Sequence, residues 1–435
     1  MMKTTTILLL CACLGATAQT AREEIKENIY LSGSNYLDYN NQLSTTPLTV
    51  APKGYEPFYM SHYGRHGSRW LIGEGDYTGP LNTLRDADKA GKLTALGKDV
   101  LKKLEDFYPT TIKRLGELTT VGERQHHGIG SRMAKNFPEI FKAKGVAIDA
   151  RSTVVIRCIL SMEAECEELA AANPTARFHN DVSESMQYYL NQPWSDKLKR
   201  HAAKGRAIRN EYDQKLTHSE RLMKALFNDQ SWVFENVRAG SLMRQLFDLA
   251  TNMQSHDTDI ELFSIFTEEE IYNQWQQRNV RWYLDYGPAP QTGAIMPYSQ
   301  LNLLKNIIET ADTIVPSSAN TTLTAHTPQA TLRFGHEVCV MPLACLLEMG
   351  NCAAQVENLD TLDSVWRNYR IFPMACNVQL VFYRPKKGKA GDILVKGLLN
   401  EREMTLPVKT DQWPYYRWAD LRQYYLNKIT AFEAQ

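Results

Sequence analysis

The sequence lacks an excess of either charge, paired cysteine motifs and, after its first residues, any long apolar run. Lysine plus arginine and aspartate plus glutamate each number 49, so no overall charge attracts the chain to nucleic acid or to a membrane surface. The eight cysteines form no Cys-x-x-Cys pair, which argues against a zinc site. Past the first residues, no segment is long and apolar enough for a transmembrane span. Affinity for an anionic molecule must therefore come from a local cluster.

The first residues have the features of an export signal. Lys3 supplies a positive start, an apolar stretch follows, and Ala16–Ala18 offers small residues for cleavage. We expect a signal peptide over residues 1–18 and a periplasmic or extracellular mature protein. Cys11 and Cys13 loosely fit a lipid-attachment site, so a lipid-anchored form stays open. Cleavage leaves six cysteines, and the sequence does not decide which of them pair.

Secondary-structure signals divide the chain into an α/β part and a helical part. Residues 19–179 and 317–435 contain strand-like runs and helical stripes, whereas residues 180–316 show helical patterns only. We therefore predict an α/β core sheet flanked by helices, with a mainly helical cap inserted over residues 180–316. The polar segment over residues 20–54 is predicted to wrap the surface. Residues 76–92, which contain several Gly and Pro residues, are predicted to form a loop.

One histidine near the start of the predicted core lies between two arginines. Residues 58–63 read as a short buried strand, and two glycines loosen the backbone where that strand ends. His66 is thus placed at a strand's carboxyl end, with Arg65 and Arg69 beside it. Guanidinium groups bind phosphate oxygens bidentately, and an imidazole can form a covalent intermediate. The pattern indicates attack on a phosphate monoester; a structural core histidine is the alternative.

Two later elements place further candidates at strand ends. The β-branched run over residues 152–156 predicts a strand that ends at Arg157, where an arginine facing a helix start suits an anion. A structural salt bridge is the alternative for this arginine. A second strand-like run leads to His336 and Glu337. Because open α/β sheets collect their sites at the carboxyl ends of strands, we expect His336 to meet His66.

Other charged and titratable residues have weaker signals. A basic stretch in the predicted cap could guide a polyanionic substrate, although a solvated helix face is the favoured interpretation. Its candidate substrate-binding residues are Lys197, Lys199, Arg200, Lys204 and Arg206. His126 and His127 lie on a predicted helix and are expected at its surface.

The Arg-His-Gly-x-Arg motif over residues 65–69 resembles the signature of the histidine phosphatase superfamily, in its acid phosphatase and phytase branch. Leu-Thr-x-x-Gly over residues 118–122, Arg-Cys-x-x-Ser from Arg157 and the distal His-Glu pair resemble further patterns of that branch. The segment over residues 266–287 is similar to the cap of multiple inositol polyphosphate phosphatases. The resemblance implies a phosphoglycerate-mutase-like core. Leu71 stands where the branch often has proline, which is tolerated in the inositol polyphosphate phosphatase subgroup.

The resemblance also implies an activity and roles for the site residues. It implies a secreted phosphomonoesterase that hydrolyses inositol polyphosphates such as phytate through a phosphohistidine on His66, with Glu337 as proton donor and without a cofactor or metal. The implied phosphate-binding residues are Arg65, Arg69, Arg157 and His336. Positive neighbours should lower the pKa of Glu337 and a bound phosphate should oppose that shift, so we expect an acid to near-neutral optimum.

Two alternatives stay open. The first is a broad-specificity histidine acid phosphatase that acts on small phosphate esters. The second is a non-catalytic secreted binding protein with the same fold, against which the intact set of candidate residues argues. A phosphoglycerate-mutase-like transferase is disfavoured, because export would remove it from glycolysis.

Overall fold

The computed structural model describes residues 19–191, 193–315, 327–386 and 391–434. The predicted signal peptide over residues 1–18 lies outside these ranges. Within them, no helix has the length and apolar character that a membrane span requires.

One mixed sheet forms the centre of the molecule. Its strands are β1 (Tyr55–Arg65), β2 (Ala147–Ser152), β3 (Arg177–Val182), β4 (Ala330–Gly335), β5 (Asn377–Pro385), β6 (Leu394–Leu399), β7 (Arg402–Met404) and β8 (Tyr416–Arg417). The spatial order is β3-β2-β4-β1-β5-β6-β7, and β8 pairs with β6. Strands β3, β2, β4 and β1 run parallel, whereas β5 and the strands after it pair antiparallel. The carboxyl ends of β1 and β4 therefore lie side by side.

Helices cover both faces of the sheet. They are α1 (Ala21–Glu27), α2 (Glu74–Lys89), α3 (Ala95–Phe107), α4 (Thr120–Asn136), α5 (Pro138–Phe141), α6 (Ile156–Ala172), α7 (Gln187–Leu190), α8 (Asp196–Leu216), α9 (Glu220–Leu226), α10 (Gln230–Asn236), α11 (Ala239–Asn252), α12 (Glu268–Tyr286), α13 (Leu301–Ile314), α14 (Glu337–Leu346), α15 (Leu362–Val365) and α16 (Trp418–Glu433).

The apolar core follows from the alternation of side chains along β1. Tyr59 and Tyr63 point to one face and pack in the apolar cluster that includes residues of α13, α14 and α16. Met60 points to the other face, into the cluster built by α4, α5 and α6. A third cluster joins α2, α3, α9, α11 and α12. The sheet is thus buried on both sides, which fixes the positions of its strand ends.

The cysteines of the described chain do not cross-link these layers. All six are free and buried: Cys158, Cys166, Cys339, Cys345, Cys352 and Cys376. The packing of the three apolar clusters therefore holds the described fold together without disulfides.

The loop predicted over residues 76–92 is wrong, because helix α2 occupies most of it. Tyr77, Leu81 and Leu84 recur at helical spacing and are buried. Burial of this apolar stripe outweighs the low helix propensity of the two glycines and the proline inside the helix.

The strand predicted over residues 152–156 is also wrong. Strand β2 ends where that run begins, and α6 starts at Ile156. Cys158 and Met162 lie one turn apart and are fully buried, so the helical period of the buried side overrides the β-branched run. Arg157 consequently lies in the first turn of a helix rather than at the end of a strand.

The N-terminal segment does not simply wrap the surface, as predicted for residues 20–54. Ser34, Leu37 and Tyr39 are almost fully buried, and Leu37 and Tyr39 belong to the apolar clusters. This segment therefore forms part of the interior beside the carboxyl end of β1.

The predicted cap range is helical in its described part. Strand β3 continues to Val182, a little past the predicted start of the cap, and α7 to α13 follow within the described residues up to 315. Residues 192 and 316 lie outside the described ranges. The division into a core and an inserted cap stays a prediction.

Candidate active site

Adjacent parallel strands bring the two candidate histidines together. Arg65 at the end of β1 pairs with Gly335 at the end of β4. The backbone N–H of His66 donates to the carbonyl of Gly335 at 3.0 Å. The rings of His66 and His336 then lie 5.5 Å apart, centre to centre. The structure thus brings together two residues that are 270 positions apart (336 − 66) in the sequence.

The loop after His66 is fixed between α4 and α6. The N–H of Gly67 donates to Ser161 Oγ of α6 at 3.1 Å, and the N–H of Ser68 donates to Gln125 Oε1 of α4 at 2.8 Å. Thr119 at the start of α4 also donates to the carbonyl of Ser68. Buried donors of the loop are therefore satisfied by side chains of two different helices, which gives the loop one defined shape.

The two ring nitrogens of His66 have different surroundings. Its Nδ1 lies 2.8 Å from the carbonyl oxygen of Gly67, which can only accept, so Nδ1 carries the proton and Nε2 has the free lone pair. Nε2 lies 3.9 Å from Glu337 Oε2. Burial first, and then the charges of Arg65 and Arg157, lowers the pKa of His66 well below its ordinary value. His66 is thus a neutral imidazole with Nε2 available for attack.

Glu337 and Arg65 form a buried ion pair next to His66. Arg65 Nη2 lies 3.0 Å from Glu337 Oε1, and Arg65 Nη1 donates to the carbonyls of Asn35 and Pro373 at 2.6 and 3.0 Å. Burial tends to raise the pKa of Glu337, but Arg65 and Arg69 oppose it and the pKa falls to about 2. The lowering predicted from the sequence is confirmed.

Arg69 and Arg157 add two further guanidinium groups. Arg69 lies over the Tyr36 ring at 5.5 Å and donates to the carbonyl of Trp70 at 2.9 Å. Arg157 donates to the carbonyl of Gly116 at 3.3 Å. Each of these two arginines has a buried Nε without a protein partner in the described structure. Unsatisfied guanidinium N–H groups beside a neutral histidine favour a bound oxyanion.

His336 caps the amino end of α14 and completes the ring of polar groups. Its ring nitrogens lie 3.8 and 3.9 Å from Cys158 Sγ, which donates to the carbonyl of Gly335. Burial is the main cause that lowers the pKa of His336 to about 4, against the opposing charge of Glu337. A neutral His336 can donate one hydrogen bond to an oxygen of a bound phosphate.

Three residues of the site also have the donor atoms that a metal ion binds. His66, His336 and Glu337 offer ligand atoms that all lie within 4.8 Å of one another. Arg65 already pairs with the carboxylate of Glu337. After burial, the charges of three neighbouring arginines also lower the pKa of His66. Such positive surroundings repel a cation and favour an anion at this position.

Comparison with known proteins bears on this geometry. A family model described as histidine phosphatase superfamily (branch 2) matches residues 65–400, about three quarters of the chain and the whole span from His66 to Glu337. The chain belongs to this family. The resemblance inferred from the motifs is thereby confirmed. A search of curated proteins finds no match.

Solved structures share the fold of this histidine phosphatase at low sequence identity. The multiple inositol polyphosphate phosphatase of Bifidobacterium longum in complex with inositol hexasulfate has a TM-score of 0.71 at 18% identity, covering 90% of this chain and 96% of its own. The phytase from D. castellii has a TM-score of 0.67 at 15% identity, and the match covers 92% of this chain and 85% of the phytase. Hafnia alvei phytase in complex with myo-inositol hexakis sulphate has a TM-score of 0.54 at 13% identity, and the match covers 87% of this chain and 98% of the phytase. These likenesses confirm the predicted α/β fold.

Two of the five basic residues predicted in the cap contact side chains that do not belong to this site. Lys197 lies 4.6 Å above the Phe432 ring of α16, and Lys199 pairs with Asp196. The remaining three, which are exposed, are Arg200, Lys204 and Arg206. Their role in substrate binding stays a prediction.

A buried histidine was missed in the sequence of this histidine phosphatase. His126, expected at a helix surface, is fully buried on α4, with Nδ1 2.9 Å from Glu165 Oε2 of α6. The other oxygen of Glu165 lies 3.9 Å from His62 Nδ1 on β1. The expectation was wrong because α4 packs against α6 along this side, and no local pattern in the sequence reveals that contact. His126, Glu165 and His62 thus link α4, α6 and β1 next to the loop that follows His66.

Replacing Gly67 with alanine should damage both fold and site. A Cβ at this position would meet the carbonyl oxygen of Gly122 at 2.3 Å, and that atom belongs to the backbone of α4. We expect a loss of about 2–3 kcal/mol in unfolding free energy and a large loss of activity, since α4 must move away from the loop. Denaturant titration measures the first effect and phosphate release the second.

Gly75→Ala is the matched control for that substitution. Gly75 lies in α2, and a Cβ there meets nothing within 4 Å. We expect unchanged activity and a gain of about 0.5–1 kcal/mol from helix propensity. Equal stability of the two variants would contradict the steric argument.

Four largely buried histidines should make the protein less stable in acid. Burial lowers the pKa of His62, His256 and His336 to about 4 and that of His66 well below its ordinary value of 6.5. Below pH 6.5 the unfolded chain takes up protons at these four positions while the folded protein does not, so the unfolding free energy falls as the pH falls. The slope should approach about 1.4 kcal/mol per pH unit for each histidine. Denaturant titrations at pH 7, 6 and 5 test this, and constant stability would refute it.

Proposed function

We propose that this histidine phosphatase is an exported phosphomonoesterase that hydrolyses inositol polyphosphates through a phosphohistidine on His66. The observation that carries the proposal is the geometry around Nε2. This nitrogen has the free lone pair and lies 3.9 Å from Oε2 of Glu337, and the charges of three guanidinium groups act on the same ring. A nucleophile, an acid and several oxyanion donors are the parts that phosphoryl transfer needs.

In the first step, His66 Nε2 attacks phosphorus in line with the leaving oxygen. The P–N bond forms as the P–O bond to the alcohol breaks. Arg65, Arg69 and Arg157 bind the non-bridging oxygens and stabilise their charge, together with the N–H of His336. Glu337 gives its proton to the leaving oxygen, so the alcohol departs neutral. The negative charge of the bound phosphate raises the proton affinity of Glu337 for this step.

In the second step, water breaks the phosphohistidine. Glu337, now a carboxylate, takes a proton from the water molecule while the oxygen of that water attacks phosphorus. The P–N bond breaks, inorganic phosphate forms, and His66 returns to the neutral state that its burial favours. The carboxyl group is again protonated for the next turnover, and the two steps balance in atoms and charge.

An inositol polyphosphate is the substrate class that we favour. Two of the similar structures, the B. longum phosphatase and the H. alvei phytase, are complexes with inositol hexasulfate, in which sulfates stand where inositol hexakisphosphate has phosphates. The export signal over residues 1–18 and an inserted cap over residues 180–316 are part of the same proposal, because an extracellular polyanion needs an exported enzyme and a substrate-covering element.

The test is phosphate release by the chain from residue 19 onward, with chelator present. myo-Inositol hexakisphosphate and p-nitrophenyl phosphate are run side by side from pH 3 to 8. Faster turnover of the inositol substrate supports the proposal. Turnover of the aryl ester alone would establish a general acid phosphatase instead. If neither ester is hydrolysed, the proposed activity is refuted and a binding protein remains.

A further inference from the structure

Asn35 connects the N-terminal segment to both members of the buried ion pair. Its carbonyl accepts from Arg65 Nη1 at 2.6 Å, and its side-chain Nδ2 donates to Glu337 Oε1 at 3.3 Å. Asn35 and Glu337 are 302 positions apart. Asn35 also lies outside residues 65–400, the part of the chain that the family model matches. The family match therefore does not include Asn35, and its role is inferred from its contacts in the structure.

The backbone just before Asn35 is strained. Ser34 has φ 56° and ψ −119°, a region that favours glycine and costs about 1–3 kcal/mol for other residues. Its hydroxyl accepts from Asn368 Nδ2 at 2.8 Å. Asn368 is itself fixed by Asn279 Oδ1 and by Trp275 Nε1, both at 2.9 Å. Strain of this kind persists when its surroundings over-determine it, and here those surroundings aim Asn35 at the site.

The two oxygens of Glu337 have different environments. Oε1 lies 3.0 Å from Arg65 Nη2 and 3.3 Å from Asn35 Nδ2. Oε2 lies 3.9 Å from His66 Nε2, on the side where the phosphoryl group forms its bond. Oε1 thus accepts from Asn35 and lies beside the positive charge of Arg65, and both oppose a proton on that oxygen. The acid form of Glu337 is consequently expected to carry its proton on Oε2.

We propose that Asn35 is a positioning residue for proton transfer, which together with Arg65 keeps Oε1 of Glu337 as an acceptor and so places the transferable proton on Oε2. The inference rests on the proposed function. As the bond from phosphorus to the leaving oxygen breaks, that oxygen takes the proton of Oε2, and Oε1 shares the resulting charge with both donors. As water later attacks the phosphohistidine, its proton returns to Oε2.

The experiment compares an ester that needs the proton with one that does not. β-Glycerophosphate has an alkoxide leaving group that must be protonated, whereas 2,4-dinitrophenyl phosphate has a leaving group that departs as an anion. The measured quantity is kcat/KM, because it reports the step up to formation of the phosphohistidine. For Asn35→Leu we expect a loss of about 10-fold or more on the alkyl ester and of less than about 3-fold on the dinitrophenyl ester.

Two further variants sharpen the comparison. Asn35→Ala removes the donor without adding a charge, so we expect the same difference between the two esters. It also carries the test if Asn35→Leu does not fold. Asn41→Leu makes the same chemical change at an exposed position of the same segment and should leave both rates unchanged.

The possible results separate the two proposals. Equal losses on both esters in the Asn35 variants would mean that Asn35 only supports the structure, and this inference would fail while the phosphatase activity stands. An unsubstituted protein that hydrolyses neither of these esters nor myo-inositol hexakisphosphate would refute the proposed function and this inference with it. Thermal unfolding of each variant establishes that the compared proteins are folded.

Discussion

The His66→Ala variant is expected to release phosphate at least about 10⁴-fold more slowly than the unsubstituted protein. Alanine has no nitrogen that can bond to phosphorus, whereas Arg65, Arg69 and Arg157 still bind the ester. Binding without attack leaves the reaction with only the electrostatic part of its stabilisation. The initial rate of phosphate release at saturating substrate measures the loss.

The control for this variant is another histidine beside a carboxylate. His127 is half-buried on α4 and lies 3.1 Å from Glu168, so His127→Ala makes the same chemical change away from the site. It should retain full activity.

Rapid denaturation of the unsubstituted protein during turnover should also trap a phosphoryl group on His66 that is stable in base and labile in acid. If the His66→Ala variant kept about a tenth of the activity or more, His66 could not be the nucleophile.

The Glu337→Gln variant is expected to lose about 10²–10⁴-fold in kcat/KM on an alkyl phosphate. Glutamine has nearly the same shape, but its amide has no acidic proton for the leaving oxygen. The loss should shrink to about 10-fold or less on 2,4-dinitrophenyl phosphate, whose leaving group needs no proton. Steady-state rates on the two esters measure this difference.

Glu268→Gln is the matched control, because Glu268 is 70% exposed in the first turn of α12. It should leave both rates unchanged. Loss of equal size on both esters in Glu337→Gln would show that Glu337 serves through its ion pair with Arg65 rather than as an acid.

The parts of the site that the sequence predicted are those with a local signal. A buried strand that ends in glycine and histidine can be recognised from a few neighbouring residues, and this applies to His66 and to His336. Their meeting follows from a general rule, because both follow parallel strands of one sheet. The family match then confirms the fold that these elements predicted.

The parts that the sequence did not predict depend on contacts between distant segments. Asn35 has no motif around it, and its position depends on Asn368 and Glu337, more than 300 residues away. His126 reads as a surface residue until Glu165 on another helix is seen beside it. Arg157 was predicted at the end of a strand but lies in the first turn of a helix, because a β-branched run begins a helix whose buried side is set by tertiary packing.

The separation of Asn35 from Glu337 along the chain also sets the order in which activity can arise during synthesis. Asn35, Arg65 and His66 are added first, and Glu337 follows His66 by 271 residues (337 − 66). At about 5–20 residues per second, a growing chain therefore has its nucleophile but lacks its proton donor for roughly 14–54 s. Until Glu337 has been added and folded beside His66, the nascent chain is inactive toward phosphate esters.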